Sequence, residues 1–270
     1  MVDNRFLSVA ADRYAHVRFN QKIIEMTDFQ HGGQLEEIIN WTLPGLTMYY
    51  RDSNLKSEII NKYWIGKIFR AKTFVDVSNF AGKPITNCRF IFASSKAATL
   101  FRVNPATEKW GLHAINCDSF FKVLDVYHFQ GVTQIFVLHI PYKGLDMFSR
   151  SVLQLGGQNI EEQIIAKARE SLHQKFDSEI FPALSEQEWL HRTSFPIGLD
   201  NSNNFFSLEP TEPFYEEAKP LYSAIRKMTN DLSDLNEIPQ FSIKKPETNS
   251  DQTQSADKKG GFWSNLFGKK

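Results

Sequence analysis

Cysteine is scarce in this sequence, and long hydrophobic runs are missing. Cys88 and Cys117 are its two cysteines, and they lack both CxxC spacing and the further ligands that would complete a zinc site. Two buried free thiols in a reducing compartment are expected, with a single disulfide as the alternative. The longest apolar runs, such as 135–138, fall far short of the roughly 20 residues that span a bilayer. No apolar signal segment opens the chain, so the sequence predicts a cytoplasmic protein, either free or peripheral to a membrane.

The chain also lacks an excess of either charge. Lys plus Arg and Asp plus Glu are 31 each, which gives a formal net charge of zero. A nucleic-acid partner is not expected, because such a partner usually requires a basic face. Apolar residues make up 41% of the chain and phenylalanine alone contributes 23 residues, which is enough for a well-packed core.

The apolar pattern predicts an α+β fold. Spacings of three and four residues predict helices within 34–43, 55–69, 159–181, 185–192 and 213–235. From about residue 73 to 148 the pattern changes to short segments rich in β-branched and aromatic residues, with no room for crossover helices between most of them. We therefore expect a central antiparallel sheet over 73–148, with N-terminal and C-terminal helices packed on it in a single domain, 1–237.

The composition changes after the last predicted helix. Residues 244–261 contain no Val, Ile, Leu or aromatic side chain, so they cannot bury enough surface to offset the entropy of ordering. We interpret 238–261 as a disordered linker and 262–270 as a short aromatic and basic tail.

The tail is amphipathic if it is helical. Its four apolar side chains would share one face at about 100° per residue, and lysines flank them on both sides. These residues are Phe262, Trp263, Leu266 and Phe267, with Lys258, Lys259, Lys269 and Lys270. An anionic membrane surface and a groove on a protein partner are the two docking hypotheses. The alternative is that the aromatic rings fold back on the parent domain.

One predicted hairpin carries the candidate catalytic residues. With a three-residue loop at 130–132, strands on either side would place Asp125, Tyr127 and His139 on one face, with Asp125 diagonal to His139. A carboxylate that orients an imidazole is a recurring general base. No serine or cysteine nucleophile can be assigned to this pair, and an ordinary polar pair on the sheet surface is the alternative.

No cofactor or metal site is predicted. The chain has no HExxH motif and no glycine-rich phosphate loop followed by Lys-Ser or Lys-Thr. The first functional hypothesis is therefore a non-enzymatic interaction or adaptor protein that docks through its tail. The second is a hydrolase-type enzyme with its site at Asp125, Tyr127 and His139, in which the tail serves for targeting. The sequence leaves the oligomeric state open.

Overall fold

A large mixed sheet forms the centre of the computed structural model, which describes residues 15–19, 22–24, 32–155, 158–209 and 216–236. Eight strands lie in the order β4-β9-β10-β6-β3-β5-β8-β7, and every neighbouring pair is antiparallel except β6 with β10. Their bounds are β3 Thr47–Ser53, β4 Ile68–Ala71, β5 Val75–Ser78, β6 Cys88–Ser94, β7 Ala97–Thr99, β8 Leu112–Ile115, β9 Ser119–Phe129 and β10 Val132–Ile140. The predicted α+β fold with a mostly antiparallel sheet is confirmed.

A second sheet has four short strands in the order β12-β11-β1-β2. They are β1 Ala15–Phe19, β2 Lys22–Ile24, β11 Ser151–Leu155 and β12 Gln158–Asn159. None of them was predicted. The tail and the predicted linker lie outside the described residues, so the division into domain, linker and tail stays a prediction.

Six α-helices flank the sheets in the described part of the chain. They are α1 Gly32–Thr42, α2 Ser57–Ile60, α3 Leu145–Arg150, α4 Ile160–Phe176, α5 Gln187–Thr193 and α6 Lys219–Met228. The predicted start of α4 is confirmed, because the Asn159 side chain accepts a hydrogen bond from the Glu162 backbone amide, as an N-cap does. In the part of the chain that the structure describes, no helix is both long enough and apolar enough to cross a membrane.

The helix predicted over 55–69 is mostly wrong. Only Ser57–Ile60 is α-helical, and Ile68–Ala71 is strand β4 at the edge of the large sheet. Gly66 adopts a φ of +87°, which an α-helix does not allow. The Gly66 amide donates to the Val123 carbonyl, and the Val123 amide donates to the Lys67 carbonyl. Pairing with β9 therefore draws this segment into the sheet and overrides its helical pattern.

The hairpin between β9 and β10 has a shorter loop than predicted. Phe129 pairs with Val132, so the loop is Gln130-Gly131 alone, and both residues have positive φ, 47° and 84°, as a type I′ turn requires. A register shift follows between Phe136 and Val137. Asp125 consequently lies opposite Phe136, and the predicted Asp125–His139 diagonal is wrong.

The large sheet buries both of its faces. One face packs under α1, α3 and α4, with Tyr50, Ile91 and Phe136 among the buried residues. The other packs against α2 and residues 197–199, with Phe69, Phe90 and Phe121 in its core. Cys88 and Cys117 are both free and buried, as expected.

Candidate anion-binding site

The structure separates the three residues of the predicted catalytic face. The Asp125 carboxylate accepts two hydrogen bonds from Arg169 of α4, at 2.7 and 2.8 Å, and the Arg169 guanidinium lies 4.5 Å from the centre of the Tyr127 ring. His139 lies on the opposite face of β10, where its ring packs 5.1 Å from Phe121. Asp125 and Tyr127 are thus brought together, without the histidine that the predicted base needs.

His139 occupies a narrow cleft. Its Nδ1 lies 2.8 Å from the Ser94 hydroxyl, and burial, with a smaller contribution from Lys96, lowers its pKa to about 3. Lys96, Cys117 and Asp231 also line the cleft, whose cavity volume is about 10 Å³. That volume is close to what one water molecule needs, so a substrate does not fit there.

A cluster of arginines lies elsewhere, on the face of β3 that carries Tyr49 and Ser53. Arg51 is buried, and its guanidinium donates to the carbonyl of Asp76 at 3.0 Å and to the carbonyls of Arg192 and Phe195 at 3.1 and 3.3 Å. The carboxylate of Asp76 forms an ion pair of 3.2 Å with Arg192. Among the described residues, the Nε–H groups of Arg51 and Arg192 are buried donors without an acceptor.

The charges of this cluster do not balance. Two guanidiniums share the Asp76 carboxylate, while the direct acceptors of Arg51 are neutral carbonyls. Burial lowers the pKa of Arg51 to about 10, an effect that Asp76 partly offsets and Arg192 strengthens. Arg51 therefore keeps its charge at neutral pH. A buried positive charge with unused N–H donors is a favourable place for an anionic oxygen.

A histidine with a fixed tautomer lies in the same part of the sheet. His113 Nδ1 is 2.9 Å from the Gly111 carbonyl, which can only accept, so Nδ1 carries the proton. Its Nε2 lone pair then accepts from the Thr99 hydroxyl at 3.1 Å. Burial lowers the pKa of His113, so the ring is neutral at pH 7. A neutral imidazole oriented through one nitrogen and basic at the other can act as a general base.

His113 lies on the same face of the sheet as Arg51. Strand β3 pairs with β5 through Tyr50 and Ser78, and on β8 His113 pairs with Val77 of β5 and with Thr99 of β7. Strands β3 and β8 are therefore two strands apart, or roughly 10 Å. The Tyr49 ring, on the Arg51 face of β3, contacts the His113 ring at 4.8 Å between centroids. One substrate molecule could reach both side chains.

The sequence patterns did not identify this pair of residues. Neither Arg51 nor His113 is among the predicted site residues. The available signal for Arg51 was that a charged residue occurs within the aromatic segment 47–53. No group of three or more His, Cys, Asp or Glu side chains in the described residues could hold a metal ion.

Comparisons with known proteins give structural matches only. No family model and no curated protein matches the chain. Among solved structures, the ADP-ribosyltransferase HopU1 of Pseudomonas syringae pv. Tomato DC3000 has 14% identity, covers 35% of this chain and 45% of its own, and gives a TM-score of 0.31. Exoenzyme S of Pseudomonas aeruginosa, solved with human 14-3-3 protein beta and carba-NAD, has 12% identity. That match covers 40% of this chain and 55% of exoenzyme S, with a TM-score of 0.31. The Clostridium limosum C3 exoenzyme has 11% identity, and the match covers 35% of this chain and 59% of the exoenzyme, with a TM-score of 0.29.

These matches contradict the predicted non-enzymatic adaptor, because several of the matched structures are ADP-ribosyltransferases. The chain spans about half the length of the structures it matches. At these identities and TM-scores, the likeness assigns no reaction, ligand or residue to this chain. Any such assignment has to come from the side chains themselves.

Proposed function

We propose that this protein is an enzyme whose substrate carries a phosphate or pyrophosphate group. Arg51 and Arg192 would bind the anionic group, and His113 would act as the general base beside it. The observation that supports this is the charge imbalance: two guanidiniums share one carboxylate and retain unused buried donors, on the same face of the sheet as a neutral, oriented imidazole.

The chemistry of the donors favours phosphate. A guanidinium binds a phosphate through parallel N–H donors, and such charge-assisted hydrogen bonds are about twice as strong as neutral ones. The carbonyls that Arg51 now contacts could be replaced by phosphate oxygens, which would bring the missing negative charge.

NAD+ satisfies this requirement, since it carries a pyrophosphate between two nucleosides. ADP-ribosyl transfer from NAD+, the activity named for structures reported above, is therefore the reaction to assay first. In such a transfer the His113 Nε2 could accept the proton of the attacking hydroxyl or amine. The Thr99 hydroxyl, which holds that lone pair now, would have to give way to the attacking group.

The test separates binding from chemistry. Binding of pyrophosphate and NAD+ is measured by calorimetry, and NAD+ turnover by release of nicotinamide. Arg51→Lys keeps the charge but loses the planar fork, and we expect at least ~10-fold weaker binding. His113→Gln should leave binding within about 2-fold and lower turnover by at least ~100-fold, the usual contribution of a general base.

Arg169→Gln is the matched control, because it removes an arginine that is paired on the opposite face of the sheet. It should leave both binding and turnover unchanged. The proposal is wrong if pyrophosphate and NAD+ bind Arg51→Lys as tightly as the unaltered protein, with melting temperatures showing that both are folded.

A further inference from the structure

We infer that the C-terminal segment 193–207, called the strap below, occupies the anion site in place of the substrate and thereby holds the enzyme in an inhibited state. This inference rests on the proposed function, because it assigns a mode of regulation to the same site.

The strap is held by side chains of β3 and by Tyr63, which donate to main-chain carbonyls. Arg51 donates to the Phe195 carbonyl and to that of Arg192 immediately before the strap, and the Ser53 hydroxyl donates to the Thr193 carbonyl at 2.6 Å. Further along, the Tyr63 hydroxyl donates to Ile197 at 2.6 Å. Each acceptor is a backbone oxygen, so the strap offers a line of partial negative charge to the donors.

The strap closes the site completely. Arg51 retains only 6% of its surface, and its Nε is buried without a partner. No substrate phosphate can reach this atom until residues 193–195 move away. The carbonyls of Arg192 and Phe195 satisfy two of the Arg51 donor contacts without neutralising its charge. An anion that displaces them would provide stronger hydrogen bonds to the same guanidinium.

The strap approaches the sheet closely at Gly198. This residue has a φ of +77°, and a Cβ there would lie 2.6 Å from Phe69 Cδ2 and 2.8 Å from the Arg70 carbonyl oxygen. The carbonyl is part of the backbone of β4 and cannot rotate away. Gly198→Ala should therefore push the strap off the sheet and leave Arg51 of β3 and Arg192 of α5 in place.

Gly45 provides a matched control. Its φ is +76°, but a Cβ there would meet nothing within 4 Å. Gly45→Ala thus introduces the same backbone strain and leaves the strap in place. Tyr63→Phe is a second, milder variant, since it removes only the hydroxyl that donates to Ile197, and it serves if Gly198→Ala does not fold.

The experiment measures strap opening and anion binding in the same proteins. Exchange of the Arg51 Nε–H proton, which is buried beneath the strap, reports opening when it is followed by NMR, and calorimetry gives the affinity for pyrophosphate. If only the open form of the site can bind the anion, the apparent affinity is reduced in proportion to the fraction of molecules that are open. We expect faster exchange and at least ~10-fold tighter binding in Gly198→Ala, and neither change in Gly45→Ala.

Two negative outcomes are distinguishable. Faster exchange with an unchanged, measurable affinity would overturn the strap as an inhibitor and leave the anion site standing. No pyrophosphate binding by any variant, despite an opened strap, would overturn the anion site and the inhibition together.

Discussion

Two arginine clusters lie on opposite faces of the large sheet, and neighbouring residues of β3 belong to different ones. Asp52 faces α4 and binds Arg89 through two hydrogen bonds of 2.6 and 2.7 Å. Arg51 faces the strap and interacts electrostatically with the Asp76 carboxylate, which forms its ion pair with Arg192. The first cluster has one carboxylate for one guanidinium, whereas the second has one carboxylate for two.

An unused donor does not by itself distinguish the clusters. Arg89 also has a buried Nη1 without a hydrogen-bond partner in the described residues. Burial opposes the charge of Arg89, but the charge and hydrogen bonds of Asp52, with smaller contributions from Tyr50 and Tyr127, together outweigh burial and raise its pKa. At Arg51 burial prevails and lowers the pKa. The presence of a full counter-charge, and not the count of hydrogen bonds, is therefore what marks the Asp52–Arg89 pair as structural.

The largest predicted effect follows from breaking the balanced pair. Arg89→Met would leave the Asp52 carboxylate, whose side chain is 11% exposed, without a cation in the interior. We expect the free energy of unfolding to fall by about 3–5 kcal/mol, measured by urea unfolding with tryptophan fluorescence.

The double variant Asp52→Asn/Arg89→Met is the control, because it leaves no buried charge. It should recover part of the lost stability. A double variant as unstable as Arg89→Met alone would show that lost packing, and not a stranded carboxylate, causes the effect, and the contrast between the two clusters would then lose its basis.

The sequence predicts the regular parts of this fold and misses those that depend on distant contacts. Helix α4 has a repeating apolar face and an Asn159 cap, so its start could be read directly. Strand β3 is buried at six of its seven positions, hence it lacks the polar-apolar alternation by which half-buried strands are recognised.

The candidate site has the same limitation. Arg51 gains its role from Arg192, which is 141 residues away in the chain, and from a row of four strands whose order is not the chain order. Asp125 and Tyr127 were correctly expected on one face, yet the partner of Asp125 proved to be Arg169 of α4. Local spacing cannot identify such a partner.

A smaller effect is expected from pH at the unbalanced cluster. Burial raises the pKa of Asp76 above its ordinary value near 3.8, and Arg192 and Arg51 only partly oppose this shift. The folded protein then binds this proton more readily than the unfolded chain. This carboxyl's contribution to stability therefore decreases as the pH rises from 3.8 through the raised pKa, by at most about 1.4 kcal/mol per pH unit.

Asp76→Asn should remove this contribution, which can be measured as the difference between the two proteins in unfolding free energy across the acid range. The same variant leaves two cations without a carboxylate, so it should bind pyrophosphate more tightly at pH 7. Weaker binding would mean that Asp76 positions Arg192 more than it neutralises it, and would count against the charge imbalance as the basis of the site.

The smallest effect is expected for the ion pair between Arg169 and Asp125, which lies at the solvent-exposed edge of the sheet face that carries the Asp52–Arg89 pair. The Arg169 side chain is 45% exposed, while its partner Asp125 is 6% exposed. Water can enter where the guanidinium stood and solvate the carboxylate, so Arg169→Gln should lower the unfolding free energy by only about 1 kcal/mol, near the range of surface ion pairs. Arg169→Lys, which keeps the charge, should lose less in the same urea titration. A loss as large as that of Arg89→Met would show that solvent access does not set the cost of breaking these pairs.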